Sequence, residues 1–76
     1  MKKKEVEIYT DSLTLGQFLK WAGVVETGQQ AKIIIQEGSV RLNGNIEKKR
    51  GKSLYPGDTV ELDNMELVVV RGEQEV

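Results

Sequence analysis

The chain of 76 residues carries 11 Lys and Arg against 12 Asp and Glu, is 38% hydrophobic, and contains neither histidine nor cysteine. A domain this small buries only about 60% of the surface its unfolded chain exposes, and here no disulfide or thiolate-held metal can reinforce the core. Without His or Cys the usual general base near neutral pH, the His-assisted nucleophile and the ordinary zinc ligands are missing, so the sequence reads as a protein that is not an enzyme and takes no metal or cofactor.

The first segment, "KEVEIYT" at 4–10, alternates charge with Val6 and Ile8, the period of a half-buried strand. A complete helix start follows: Thr14 stands as N-cap with Gln17 three residues on, and Leu13 and Phe18 occupy the two staple positions. Leu15, Phe18, Leu19 and Ala22 share one helical face, Gly16, Gln17 and Lys20 point away from it, and Gly23 stops the helix. "TGQQ" repeats the signal, with Thr27 as cap and Gln30 three residues later, followed by Ala31, Ile34 and Ile35 at core spacing and Gly38 as the stop. Gln29, Lys32 and Gln36 fall on the opposite side, with Ile33 beside them.

From Ser39 the period becomes two: Val40 and Leu42 face one way, Ser39, Arg41 and Asn43 the other, and Asn43-Gly44 marks a hairpin whose return strand runs over about 45–47. "LYPGD" reads as a turn, "TVELD" and "ELVVV" as two strands joined at Asp63 and Asn64, and 71–76 as a frayed tail. The expected fold is a single α+β domain over 1–76, two short helices packed on a small, mainly antiparallel sheet of about five strands. Its core is Val6, Ile8, Leu15, Phe18, Leu19, Ala31, Ile34, Ile35, Val40, Leu42, Val60, Leu62, Leu67 and Val69. The longest apolar runs fall far short of the roughly 20 residues of a membrane helix, and "MKKKEVEIY" has no signal-peptide core, which points to the cytoplasm and away from a membrane.

The net charge of −1 conceals a segregation. Residues 32–52 set Lys32, Arg41, Lys48, Lys49, Arg50 and Lys52 against Glu37 and Glu47, whereas 53–76 set Arg71 against six acids. Taken alone, the run "EKKRGK" at 47–52 is as readily a solvated loop as a ligand surface. Its neighbours tilt the reading: Lys20 and Lys32 project from the polar sides of the two helices, so six cations (Lys20, Lys32, Lys48, Lys49, Arg50 and Lys52) border one surface, whose complement is a phosphate backbone. Thr27, Gly28 and Gln29 open the second helix, whose first amides suit a phosphate, although helix formation alone explains the cap.

Trp21 lies beside the apolar stripe, a position that fits packing better than stacking on a splayed base. Tyr9 and Tyr55 read as strand and turn residues, and no aromatic pair stands at the spacing of a stacking platform. The acids Asp58, Glu61 and Asp63 are spread as solvated acids are, and "GKS" at 51–53 lacks the glycine spacing of a phosphate loop.

Residues 13–62 together resemble a known family. The series Thr27, Gln30-Ala31-Lys32, "GSVRLNG" at 38–44 and "GDTV" at 57–60 is similar to the RNA-binding domain named after the fourth small-subunit ribosomal protein, the αL motif, and most of all to its small stand-alone bacterial members of the YaaA and YbcJ type. The resemblance implies binding to structured RNA through the two helices and the adjoining loop, with ribosomal or transfer RNA as the target and ribosomal particles as the setting. It matches Lys32 to the family's basic residue after Gln-Ala, and Thr27 to its capping hydroxyl. Many members begin the first helix with Arg-Leu-Asp where Thr14-Leu15-Gly16 stands here, which shifts the load to Lys20 and the 48–52 run. The expected interface is therefore Lys20, Thr27, Gln29, Lys32, Lys48, Lys49, Arg50 and Lys52. The competing reading is a protein-interaction module whose basic loop is only solvated surface; duplex DNA is a nearer rival than catalysis, since phosphate contacts do not tell RNA from DNA.

Overall fold

The alternation at the start of the chain produces strand β1 (Lys2–Ile8), in which Val6 and Ile8 are buried and the other five residues exposed. The computed structural model describes residues 2–72. After β1 come β2 (Leu13–Thr14), helices α1 (Leu15–Trp21) and α2 (Gly28–Gln36), and strands β3 (Arg41–Leu42), β4 (Asn45–Ile46), β5 (Ser53–Leu54), β6 (Thr59–Leu62) and β7 (Met65–Arg71). Among the described residues these form a five-stranded sheet in the order β1-β7-β6-β3-β4 and a separate ribbon of β2 with β5. The ladders are antiparallel except β1 with β7, which run parallel from Lys2 opposite Met65 to Ile8 opposite Arg71. The fold is thus the expected α+β sheet with two helices on one face.

Both helices start where their capping residues stand. At α1 the Thr14 hydroxyl accepts from the Gln17 amide and the Gln17 side chain accepts from the Thr14 amide, a full capping box. At α2 the Thr27 hydroxyl accepts from the Gln30 amide, but the Gln30 side chain reaches one residue further back, to the Glu26 amide at 2.7 Å. Gly23 and Gly38 end the helices at φ of 76° and 81°, a conformation that costs glycine nothing. The hairpin turns at Asn43-Gly44 and Asp63-Asn64 have positive φ at both central residues, the geometry that matches strand twist.

Thirteen of the fourteen expected core residues are buried. Ile34 is instead half-buried at the core's margin, and Leu54, absent from the expectation, has no exposed surface. Leu54 was missed because β5 is two residues long, too short for any period; it is buried by pairing with Leu13 of β2, a contact between distant segments. A second correction concerns Gly16, which is buried rather than directed to solvent. Residues 71 and 72, expected to be frayed, are ordered: Arg71 closes β7 and the Gly72 amide donates to the Ile8 carbonyl at 2.8 Å, while the rest of the expected tail, 73–76, lies outside the described residues.

Candidate nucleic-acid interface

The basic run is fastened by its backbone. The Leu15 amide donates to the Lys52 carbonyl at 2.8 Å and the Gly16 amide to the Arg50 carbonyl at 3.1 Å. With the Gln17 amide on Thr14, the first three N–H groups of α1 are therefore satisfied, two of them by the loop. Within the loop the Lys52 amide donates to the Lys49 carbonyl and the Glu47 carboxylate accepts from the Lys49 amide. The Arg50 and Lys52 carbonyls face α1 and residues Lys48, Lys49, Arg50 and Lys52 are exposed, so the run is an ordered segment that presents its cations to solvent.

Gly16 makes the close approach of Arg50 feasible. A Cβ at Gly16 would stand 2.7 Å from Arg50 Cγ, so the aliphatic stem of Arg50 lies over the bare backbone of α1. This brings Arg50 to a shallow hollow that Gly16, Gln17 and Lys20 of α1, Gly28 at the start of α2, and Gly51 also line. Of the eight expected site residues, Lys20 and Arg50 are the two that share this hollow. Thr27, Gln29 and Lys32 are exposed along α2, and the amides of Gly28 and Gln29, first in that helix, have no carbonyl to reach within it. Lys48 lies apart from them, its Cε within 3.4 Å of where a Gly38 Cβ would be, at the far end of α2. Gly51 has open space around it and no positive φ, so nothing in its surroundings demands glycine.

Strand register sends the acids elsewhere. Glu5, Glu7, Glu61 and Glu66 are aligned with Val68, Val70 and Arg41 on the sheet face away from the helices. Arg41, whose side of the domain was open from sequence, is therefore on that outer face, opposite Glu61. Arg71 pairs with Asp11 at 3.2 Å, both largely exposed, an ion pair of small energetic weight.

Sequence spacing also missed an aromatic pair. Tyr9 and Trp21, twelve positions apart, meet edge to face with ring centroids 6.4 Å apart and planes at 84°. The Trp21 Nε1 donates to the Glu7 carbonyl at 2.7 Å, and the Tyr9 hydroxyl donates to the Glu7 carboxylate at 2.8 Å. That hydrogen bond, with the negative charge beside it, raises the Tyr9 pKa above the ordinary phenol value. No local signal announces this pair, because it depends on β1 lying beside the end of α1.

A sheet covered on one face by a capped helical hairpin, with a cationic loop docked on the first helix, defines a small α+β domain of the αL type. Residues 6–70 match the model of the S4 domain, and the chain belongs to that family. It is 43% identical over 58 residues to RlbA of Bacillus subtilis, named a probable ribosome maturation protein, covering 76% of this chain and 82% of RlbA. The YbcJ protein of Escherichia coli is 38% identical over 56 residues, 74% of this chain and 80% of its own. The solution structure of YbcJ, reported to reveal an αL motif involved in RNA binding, superposes with a TM-score of 0.62 at 31% identity, covering 92% of this chain and 87% of YbcJ. The ribosomal protein S4e of Thermoplasma acidophilum shares the fold alone, with a TM-score of 0.56 at 18% identity over 75% of this chain and 30% of S4e.

Proposed function

We propose that this protein is a small, non-catalytic, cytoplasmic RNA-binding protein that recognises structured RNA, in the first place ribosomal RNA, through its helical hairpin and the 48–52 loop. The observation that carries the reading is the meeting of Lys20 and Arg50 at one hollow beside the start of α2, in a chain of the S4 domain family. Lys32, Lys48, Lys49 and Lys52, with Thr27 and Gln29 at the helix start, extend the contact along the backbone of the RNA. Phosphate recognition of this kind positions a folded RNA by shape and charge. The similarity to RlbA, named a probable ribosome maturation protein, supports ribosomal particles as the setting, and that to YbcJ, with its αL motif involved in RNA binding, supports RNA as the ligand. Crosslinking in cells followed by sequencing of the bound RNA tests the target: enrichment of ribosomal RNA is expected, and recovery of no RNA above background overturns the reading. A pull-down with and without nuclease separates it from a protein-interaction module, whose partners survive RNA digestion.

A further inference from the structure

Trp21, the largest side chain in the protein, is 57% exposed, the most open of five exposed large hydrophobics that include Tyr9, Ile33, Ile46 and Tyr55. It is nevertheless held in place. Its indole N–H is bonded to the Glu7 carbonyl at 2.7 Å, and Tyr9 abuts it edge to face. Tyr9 is fixed in turn by its bond to the Glu7 carboxylate and by the bare backbone of Gly72, where any Cβ would run into the Tyr9 ring. Core packing accounts for neither the exposure nor the bracing, since both partners of the indole are themselves at the surface.

The surroundings indicate what covers the ring. Trp21 lines a shallow pocket with Leu13, Gln17 and Lys20, and Gln17 and Lys20 also line the hollow that contains Arg50. An aromatic ledge thus leads, through one lysine, to a second cation. We propose that Trp21 is a stacking platform for an unpaired nucleobase, whose flanking phosphates lie on Lys20 and Arg50. Every base has a π-face, and an indole already immobilised loses little conformational freedom when a base settles on it. The inference rests on the RNA-binding reading and sharpens it: the preferred target is a folded RNA with an unpaired nucleotide beside its helix, not a continuous duplex.

Trp21 is the only tryptophan in the chain, so its own fluorescence reports the event. The wild-type protein, Trp21→Ala and Trp21→Phe are titrated with an RNA hairpin bearing a single-stranded loop and with a blunt RNA duplex of equal length. The expected result is quenching of wild-type fluorescence by the hairpin but not by the duplex. Trp21→Ala should lose roughly 5- to 150-fold in hairpin affinity, the range of one base–aromatic stack, with duplex affinity within about twofold of wild type. Trp21→Phe, which keeps a ring but not the N–H, should retain most of the hairpin affinity and guards against mistaking misfolding for lost stacking. Binding of the hairpin without quenching, or an equal loss on both RNAs, overturns the stacking platform while leaving RNA binding intact. Failure of the wild-type protein to bind either RNA overturns the RNA-binding reading itself, and the platform with it.

Discussion

Gly16 lies directly beneath Arg50: its amide donates to the Arg50 carbonyl at 3.1 Å, and the space a Cβ would fill is taken by Arg50 Cγ. The relationship ties the loop to the helix and fixes where the guanidinium group emerges. Alanine at position 16 would gain up to about 1 kcal/mol of helix propensity over glycine, while forcing the Arg50 stem to move. Gly16→Ala should therefore change stability by less than about 1 kcal/mol and lower RNA affinity as far as Arg50→Ala does. Thermal melts and RNA titrations of both variants check this; full affinity in Gly16→Ala would show that the placement of Arg50 is immaterial.

Thr14 closes the reciprocal box with Gln17, and its replacement leaves one helix amide without its acceptor. Thr14→Ala should destabilise the protein by about 1 kcal/mol and lower Tm by roughly 4–8 °C. Gln17→Ala, which removes only the return bond to the Thr14 amide and leaves the Thr14 hydroxyl on the amide of residue 17, should lower Tm less. Differential scanning calorimetry of the two variants gives the order directly.

Leu54 is fully buried and Ile34 only partly so. Leu54→Ala should destabilise by about 2–5 kcal/mol, a large share of the stability of so small a domain, and Ile34→Ala by clearly less. Urea unfolding of both variants measures the difference; an equal effect would contradict the role of the β2–β5 ribbon as a wall of the core.

The raised pKa of Tyr9 has a definite sign in stability. The folded state holds this proton more tightly than the unfolded state, so the contribution is fully present below about pH 10 and is lost as pH rises through the higher native value. Spectrophotometric titration of the wild type minus Tyr9→Phe should show tyrosinate forming above the ordinary phenol value. Glu7→Gln, which removes the charge, should bring that transition down; no movement would mean Glu7 is not its cause.

Much of this architecture was legible because its signals are local. Thr14 and Thr27 announce the helices through side chains that bond three residues ahead, Gly23 and Gly38 end them, and Asn43-Gly44 and Asp63-Asn64 set the hairpins. What was illegible joins distant segments. Leu54 is buried through Leu13, Gly16 is covered by Arg50, and Trp21 is braced by Glu7 and Tyr9, none of which leaves a period or a spacing in the chain. The candidate site divides the same way: exposed cations were readable residue by residue, but the loop's inward carbonyls, which decide where those cations stand, were not.

The central claim, that the helical hairpin and the docked basic loop bind structured RNA through phosphates, is tested most directly by equilibrium binding of one folded RNA across a salt series. The wild type is compared with a Lys48→Ala, Lys49→Ala, Arg50→Ala triple variant, which keeps the backbone carbonyl that receives the Gly16 amide. With about four to six phosphates neutralised, log affinity should fall against log salt with a slope of roughly −3 to −5, and the triple variant should bind more weakly with a slope shallower by about 2 to 3. Affinity indifferent to salt, or unchanged in the triple variant, would contradict the account.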